Sequence, residues 1–287
     1  MDFRETFRVE PGKKCRLSDV DPNQHGKHES EEKARADLDA NKLRIAALQR
    51  KLYGEGKRSI LIILQGMDSA GKDGTLWHVL SALDPLGVHV TDFKQPTPQE
   101  KAHDFLWRVH PHTPGKGEIA IFNRSHYESV LVERVHNLVD KAIWKARYDA
   151  INAFEHMLHH DNQTVILKFF LHISKDEQLR RFEQRLDDPA RQWKISEADY
   201  KERGFWDDYI EAYEAALAKC TSEDAPWYVI PANHKWFRNL AVSQILAETM
   251  EDLHLQLPEP RVDLAEIRKL YHAAVKDKPG SKSKGQK

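Results

Sequence analysis

The sequence has few cysteines, no long apolar run and almost no net charge, and each absence excludes a class of protein. Its 287 residues include only two cysteines, Cys15 and Cys220, which fit no metal-binding or C-x-x-C spacing. No apolar signal core opens the sequence and nothing approaches a membrane span, so we expect a cytoplasmic protein with reduced thiols. The formal net charge is −1. No overall positive field therefore recruits nucleic acid or membrane, and any anion must be attracted locally.

Buried strands that alternate with helices dominate what is present. Apolar residues make up 40% of the chain and charged residues 31%, enough for a core inside a well-solvated surface. Short apolar runs predict strands over Ser59–Gln65, Val88–Phe93, Glu118–Phe122, Thr164–Leu171 and Trp227–Ile230. Helical patterns cover Glu31–Tyr53, Gln99–His110, Lys175–Leu186 and Trp236–Leu253. A further helix is predicted from the loop after the first strand to about Asp84, helical segments are predicted from about Tyr127 to His160, and another helix is predicted to start near Asp207. The alternation predicts an α/β fold with a parallel sheet covered on both faces, which binds ligands at the carboxyl ends of its strands.

The first strand ends at a glycine-rich segment, Gly66-Met-Asp-Ser-Ala-Gly-Lys-Asp-Gly-Thr75, with the spacing of a Walker A phosphate loop. Glycines let the backbone wrap closely around a phosphate chain. The N–H groups and the following helix N-terminus face the anion, and Lys72 adds a point charge. The alternative is a glycine-rich turn with a lysine by chance. The predicted phosphate-binding residues of this segment are Gly66, Ser69, Ala70, Gly71, Lys72, Asp73, Gly74 and Thr75.

Two carboxylates accompany this loop, and Asp73 stands where a Ser or Thr hydroxyl usually binds Mg²⁺. Carboxylates beside a phosphate chain repel it unless a cation bridges them. We therefore predict that Asp68 holds Mg²⁺, directly or through water. Asp73 is either a second metal ligand or a helix N-terminal carboxylate that the helix dipole stabilises.

Two further strand ends are predicted to reach the same edge of the sheet. The third strand runs into Asn123 and Arg124, and an arginine beside a phosphate loop can bind phosphoryl oxygens with both arms of its fork. The alternative is an arginine that caps a strand. Glu128 orients the acceptor, holds a second metal or starts a solvated helix. Lys94, after the second strand, presents a cation to the ligand or lies in solvent.

A charged segment from about residue 187 to 206 interrupts the alternation and is a candidate lid. Arg180, Arg181 and Arg185 lie on the helix that leads into it, and Arg191 and Lys194 lie within it. In nucleotide kinases such arginines neutralise the phosphoryl group in transfer and exclude water. A salt-bridged, solvated helix is the alternative. After the lid, a helical stripe predicts core packing rather than a stacking platform for Trp206, Tyr209, Tyr213 and Leu217.

Together these motifs resemble the polyphosphate kinase 2 family. The segment Gln65-Gly-Met-Asp-Ser-Ala-Gly-Lys-Asp-Gly74 is similar to the family's loop G-x-D-x-x-G-K-D/G, including an Asp in place of the hydroxyl residue. Further matches, in order, are Phe93-Lys-Gln-Pro96 with His103-Asp-Phe-Leu-Trp-Arg108, Phe122-Asn-Arg-Ser-His-Tyr-Glu128, Trp193-Lys194 and Ala225-Pro-Trp-Tyr-Val-Ile-Pro231. The resemblance extends from about Glu31 to Leu257.

The resemblance implies a thymidylate-kinase-like P-loop kinase fold, with a five-stranded parallel sheet, helices on both faces and a helical lid. It also implies dependence on Mg²⁺, with Mn²⁺ as a substitute, and a homotetramer. Many members have Asp and Asn at the positions of Asn123 and Glu128. The Asn and Glu version is similar to class III of the family, which phosphorylates both AMP and ADP. By correspondence, the catalytic residues are Asp68, Lys72, Asn123, Arg124, Arg181 and Arg185, and the nucleotide-binding residues are Lys94, Arg108, Asn123, Arg124, Tyr127, Glu128 and Arg134.

The implied reaction transfers the terminal phosphoryl group of inorganic polyphosphate to AMP and ADP, giving ADP and ATP. The acceptor oxygen is already anionic, so in-line transfer needs positioning and charge neutralisation but no covalent intermediate. Two rivals stay open: an ATP-dependent nucleoside monophosphate kinase and a non-catalytic nucleotide-binding switch. The expected partners are polyphosphate and the adenine nucleotides AMP, ADP and ATP, with no nucleic acid or membrane.

The expected organisation has three parts. Residues 1–30 form an irregular segment, and residues 31–257 form one kinase domain that includes the lid. Residues 258–287 form an extension, which is expected to be disordered from about residue 276 because it is rich in Lys, Gly and Ser.

Overall fold

The sheet consists of five parallel strands, as predicted. The computed structural model describes residues 2–26 and 30–276. The strands are β1 (Ser59–Gln65), β2 (Val88–Asp92), β3 (Ile119–Asn123), β4 (Thr164–His172) and β5 (Trp227–Pro231). Their order across the sheet is β2-β3-β1-β4-β5, and every neighbouring pair is parallel. β1 is therefore central, and its register places Leu64 opposite Asn123 at the carboxyl edge.

Helices cover both faces of this sheet. In chain order they are α1 (Phe3–Phe7), α2 (Glu31–Glu55), α3 (Lys72–Val79), α4 (Pro98–Lys101), α5 (Val132–Val135), α6 (Lys141–Asn162), α7 (Lys175–Asp187), α8 (Glu197–Arg203), α9 (Trp206–Lys219), α10 (Lys235–Asp252) and α11 (Leu264–Lys276). Every residue of β1 is buried although its side chains alternate between faces, so both faces are covered. α10 packs against both α2 and α3, while α6 packs on β4. The chain moves from β1 to β2 in one direction and from β3 to β4 in the other, so right-handed connections place their helices on opposite faces.

One predicted helix is shorter than the sequence pattern indicates, and one predicted helical region is divided into separate helices. The segment Gln99–His110 is helical only within α4. Beyond it, the Asp104 carboxylate accepts a hydrogen bond from Leu106 N at 3.0 Å, and such a local turn competes with the helix. The segment from about Tyr127 to His160 contains α5, then a break, and then α6, which begins after Asp140. The lid consists of a 3₁₀ turn over Gln192–Lys194 followed by α8.

The N-terminal segment belongs to the core, which corrects the prediction that residues 1–30 are irregular. Asp2 caps α1 by accepting backbone N–H groups of its first turn, and Phe3 and Phe7 are buried. Val9 N donates to Trp227 O at 2.8 Å, so the segment also covers the outer edge of β5. Five helical residues are too few for apolar spacing to predict the helix.

A second compact unit begins at Leu257, and it contains α11. The apolar side chains of α11 recur at helical spacing and are exposed, namely Leu264, Ile267, Leu270, Tyr271 and Val275. The disorder predicted from about residue 276 concerns residues 277–287, which lie outside the described part of the chain. Among residues 2–26 and 30–276, no helix combines the length and the apolar character needed to cross a membrane.

Candidate active site

The glycine-rich loop between β1 and α3 depends on residues with positive φ. Gly66, Ser69 and Gly71 have φ values of 154°, 64° and 104°, in the region that favours glycine. A Cβ on Gly66 would lie 2.8 Å from the Leu171 carbonyl oxygen, so this position also requires glycine for space. α3 begins directly after Gly71, and its unpaired N–H groups therefore face the loop.

Lys72, the first residue of α3, lies back over the loop. Its Nζ donates to Gly66 O at 2.9 Å and to Met67 O at 3.4 Å. Burial lowers the pKa of Lys72, and the neighbouring Arg124 lowers it further, while Asp68 acts in the opposite direction. A buried ammonium group that is held by carbonyl oxygens alone has a better partner in an anion bound to the loop.

Arg124 follows β3 and reaches the same edge of the sheet. Its φ is 60°, a conformation that is costly for a residue with a side chain and is most often retained at functional sites. Its backbone N donates to Leu64 O at 3.0 Å. Its guanidinium lies 3.2 Å from the Asp68 carboxylate and 4.0 Å from that of Glu128. Burial lowers the pKa of Arg124, but these two carboxylates outweigh it and raise the pKa overall.

A cleft of about 250 Å³ opens beside this cluster. Its walls come from the loop, the segment after β3, α7, α8 and α9, and the lining residues are Gly66, Met67, Asp68, Arg124, Glu128, Val132, Gln178, Ala198, Asp199, Glu202, Tyr209 and Tyr213. Burial raises the pKa of Glu128, although Arg124 and Lys72 oppose the shift. The lid and the phosphate loop thus face each other across one concave space.

The lid contacts the loop through Lys194 and Asp73. Lys194 Nζ lies 3.1 Å from one oxygen of the Asp73 carboxylate, and Asn123 Nδ2 donates to the other at 3.1 Å. Burial raises the pKa of Asp73, but the hydrogen bonds from Lys194 and Asn123 outweigh it and lower the pKa overall. The three side chains therefore link the lid, α3 and the end of β3.

The oxygen atoms available to a cation lie at this junction. Asn123 Oδ1 is buried and has no hydrogen-bond partner among the described residues. The next residue in the chain, Arg124, donates to the Asp68 carboxylate. Within residues 2–26 and 30–276, no group of three or more His, Cys, Asp or Glu side chains is arranged to hold a metal ion. In proteins, Mg²⁺ is usually bound by one or two carboxylates together with water and substrate phosphates.

Three residues predicted to contact substrate have other partners in this structure, and their roles toward substrate stay predictions. Tyr127 is fully buried, with its hydroxyl 2.8 Å from Glu155 and 3.0 Å from Lys168 Nζ. Arg134 pairs with Glu211 and lies over the Trp144 ring. Arg181 donates to Glu177 and to backbone carbonyls of Ser69, Ala70, Ala232 and Asn233. Arg181 therefore supports the loop from behind instead of facing its ligand.

Four other predicted residues lie outside the cluster. Lys94 is exposed near Asp92, and Arg108 donates to the Lys94 carbonyl at 2.9 Å. Arg185 donates to the Lys194 carbonyl at 3.2 Å, and Arg191 pairs with Asp188 within the lid. Their roles toward substrate stay predictions.

Several residues of the site are absent from the prediction. Gln178 donates to the Asp68 carbonyl at 3.1 Å, and Asp199 and Glu202 line the cleft from the lid. Tyr209 and Tyr213 line it from α9, although Tyr213 is also buried in the core as predicted. Arg238 lies behind the loop. The available signal was one arginine within the mostly apolar run Trp236-Phe-Arg-Asn-Leu-Ala-Val242.

Comparisons with known proteins agree with this architecture. Residues 10–258 match the model of the family described as polyphosphate kinase 2. The AMP/ADP-polyphosphate phosphotransferase of Meiothermus ruber is 50% identical over 255 residues, which cover 88% of this chain and 95% of the relative. The ADP-polyphosphate phosphotransferase of Rhodopseudomonas palustris is 45% identical over 269 residues, covering 88% of this chain and 91% of the relative.

A solved structure is similar over nearly the whole chain. The crystal structure of polyphosphate kinase 2 from Arthrobacter aurescens TC1 superposes with a TM-score of 0.91 at 44% sequence identity, covering 95% of this chain and 97% of that one. With the family model, the relatives and this structure in agreement, the chain belongs to the polyphosphate kinase 2 family.

Proposed function

We propose that this protein transfers the terminal phosphoryl group of inorganic polyphosphate to AMP and to ADP. The observation that carries the proposal is the placement of cations around one phosphate loop. Lys72 lies over the loop, Arg124 reaches it from β3 and Lys194 reaches it from the lid. The names of the Meiothermus and Rhodopseudomonas relatives, both polyphosphate phosphotransferases, support polyphosphate as the donor.

The chain's own residues would supply positioning and charge. The donor's terminal phosphates bind to the loop N–H groups, and Lys72 exchanges the carbonyls of Gly66 and Met67 for phosphate oxygens. Arg124 lies between the loop and the cleft, where it can hold the phosphoryl group while an acceptor phosphate oxygen attacks in line. No proton has to be removed from that oxygen, so no general base is required.

Mg²⁺ is the proposed cofactor, with Mn²⁺ as a substitute. Asp68 and the unpartnered Oδ1 of Asn123 would hold it, together with phosphate oxygens and water. When bound, the ion would neutralise part of the charge of the phosphate chain. Asp73 already interacts with Lys194 and Asn123, so we assign it to the link between lid and loop and not to the metal.

The cleft is the proposed acceptor site, and both AMP and ADP are proposed acceptors. Its walls combine Arg124 with the tyrosines of α9 and with Glu128. Acceptance of both nucleotides is supported by the name of the Meiothermus relative, whereas that of the Rhodopseudomonas relative mentions ADP alone.

The decisive experiment compares donors with the purified protein. AMP plus polyphosphate, ADP plus polyphosphate and AMP plus ATP are incubated with Mg²⁺, and the nucleotides are separated by chromatography. We expect ADP and ATP to form with polyphosphate and little transfer with ATP as donor. Lys72→Met should lose at least about 100-fold in turnover. Arg58→Met, at the opposite end of β1, should keep it.

Other outcomes would point to the rival functions. Transfer to AMP from ATP alone would identify an ordinary nucleoside monophosphate kinase. Nucleotide binding without transfer from either donor would identify a binding switch. Omitting the metal and adding a chelator should stop transfer, and activity that persists in its absence would contradict the metal assignment.

The proposal also covers the oligomeric state of the protein, its cellular compartment and the boundary of its kinase domain. We infer a cytoplasmic homotetramer whose kinase domain ends near residue 257. Light scattering on the purified protein measures its mass. A monomer at micromolar concentration would contradict the tetramer without affecting the proposed reaction.

A further inference from the structure

Arg238 is a buried arginine without an acidic partner. It lies on α10 with 2% of its surface exposed. Its Nε and Nη2 donate to Asn239 Oδ1 at 3.1 Å and 2.8 Å, and its Nη1 donates to the Ala70 carbonyl at 3.4 Å. Among the described residues, no carboxylate lies within ion-pair distance of this guanidinium. Leaving a charge in such a place is costly.

The guanidinium lies directly behind the phosphate loop. A Cβ added to Gly71 would fall 1.7 Å from Arg238 Nη1, and one added to Gly74 would fall 2.9 Å from Nη2. Gly71 also requires its positive φ, whereas Gly74 lies within α3 and has no positive φ. The glycine at position 74 is therefore explained by the close approach of this guanidinium, which a side chain would displace.

Arg238 and Arg181 together orient the peptide groups of the loop. The Ala70 carbonyl accepts from both arginines, at 2.9 Å from Arg181 and 3.4 Å from Arg238, and the Ser69 carbonyl accepts from Arg181 at 2.7 Å. Because these carbonyls point to the rear of the loop, fewer of them compete for the anion side.

The two arginines differ in charge balance. Arg181 is paired with Glu177, whereas within residues 2–26 and 30–276 Arg238 has only neutral hydrogen-bond acceptors. Burial, and then the nearby Arg181, lower the pKa of Arg238 to about 9. The side chain therefore stays protonated at neutral pH and keeps an uncompensated positive charge beneath the loop.

We propose that Arg238 is a positioning residue for the phosphate donor, and that the bound polyanion is its missing counter-charge across the backbone of Gly71. Its charge acts through a thin, water-poor layer, where electrostatic attraction is stronger than in solvent. The inference rests on the proposed function, because it names polyphosphate as the anion in the loop.

The experiment measures binding and stability separately in the full-length protein. Arg238→Met removes the charge and keeps much of the volume, and Arg58→Met is the matched control. Inorganic tripolyphosphate is titrated by calorimetry with Mg²⁺ present at low and high salt, and the ligand-free proteins are unfolded in urea. We expect Arg238→Met to bind tripolyphosphate about tenfold to hundredfold more weakly. We also expect it to unfold at an equal or higher urea concentration than the wild type, since an apolar isostere often stabilises such a site.

Further readouts separate this role from a purely structural one. The KM for polyphosphate should rise in Arg238→Met, while the KM for AMP changes less than about twofold. Arg238→Lys should recover most of the affinity, and Arg238→Gln should not. Unchanged tripolyphosphate affinity in Arg238→Met would overturn the proposal, as would a loss of affinity shared equally by the Lys and Gln variants.

These outcomes are independent of the proposed reaction. If the wild type fails to use polyphosphate, the proposed function fails. The ratio of tripolyphosphate affinities between wild type and variants still decides the role of Arg238. Should Arg238→Met not fold, the comparison of Arg238→Lys with Arg238→Gln decides it instead.

Discussion

At the scale of single residues, Arg124 combines a positive charge beside the loop with a strained backbone. Replacing it by glycine removes both, so we expect turnover to fall by about 100-fold or more. The free energy of unfolding should stay the same or rise by up to about 1 kcal/mol, because glycine adopts positive φ without cost. Turnover with polyphosphate and urea unfolding measure the two effects.

Asn137 provides the control for this variant. It has a φ of 52° at the end of α5 and does not line the cleft. Asn137→Gly should therefore match the stability effect and leave turnover unchanged. Equal loss of activity in both glycine variants would show that backbone freedom, not the Arg124 charge, is responsible.

Glu155 is the centre of a buried network that holds the segment after β3. Its carboxylate pairs with Lys168 and accepts from His126 and from the Tyr127 hydroxyl. Burial raises the pKa of Glu155, but Lys168 and His126 outweigh it and lower the pKa below its ordinary value of 4.5. A lowered carboxyl pKa contributes stability above pH 4.5, and that contribution disappears as the pH falls through the folded-state value.

We expect Glu155→Gln to lose about 3–5 kcal/mol of unfolding free energy at pH 7, because Lys168 is left buried and unpaired. The gap to the wild type should begin to narrow below about pH 4.5, where the carboxyl of the unfolded wild type takes up a proton, and should close as the pH falls through the lower folded-state pKa. Urea unfolding of the wild type and of Glu155→Gln at pH 7, 5 and 4 measures this difference in unfolding free energy. Glu133→Gln, which breaks the partly exposed pair with Arg147, should cost less, about 1 kcal/mol. A constant gap at all three pH values would be the contrary result.

At the scale of elements, the lid carries a fluorescent tryptophan next to the lysine that contacts the loop. Trp193 is 77% exposed and precedes Lys194, which binds Asp73. If the lid closes over substrates, the surroundings of Trp193 must change. We expect a shift in tryptophan emission when AMP, tripolyphosphate and Mg²⁺ are added together, and its loss in Trp193→Phe.

Trp77 on α3 is the matched control, since it is 75% exposed and lies outside the lid. Trp77→Phe should retain the emission shift. An undiminished shift in Trp193→Phe would locate the change elsewhere in the molecule.

Sequence patterns predicted the strands well and the directions of side chains poorly. β1 and β4 are readable because strands buried on both faces are continuous apolar runs. Spacing placed Arg181 and Arg185 on one face of α7, but it cannot tell what that face meets. The structure turns Arg181 toward the carbonyls of the loop and leaves Arg185 near Lys194. The burial of Tyr127 was unreadable for the same reason, because its partners Glu155 and Lys168 come from distant elements.

At the scale of the whole molecule, the site residues described above lie within the first unit, which ends at Gln256. A chain that stops after Gln256 should therefore keep transfer activity within about threefold and unfold within a few degrees of the full-length protein. Turnover and thermal unfolding measure this. A large loss of either would mean that the second unit completes the active protein.

The N-terminal segment, unlike the second unit, should contribute strongly to the stability of the protein. Phe3 is 1% exposed, so Phe3→Ala should destabilise the protein by about 3–5 kcal/mol. Leu43→Ala, at a position that is 75% exposed, should cost less than about 0.5 kcal/mol. Similar values for the two variants in urea unfolding would contradict the assignment of the N-terminal segment to the core.

That buried start has a practical consequence for anyone immobilising or labelling this enzyme. Residues fused directly ahead of Asp2 would crowd the cap of α1 and the phenylalanine inserted behind it. A dye or a link to a solid support is better attached at an exposed position of α11, such as Leu270.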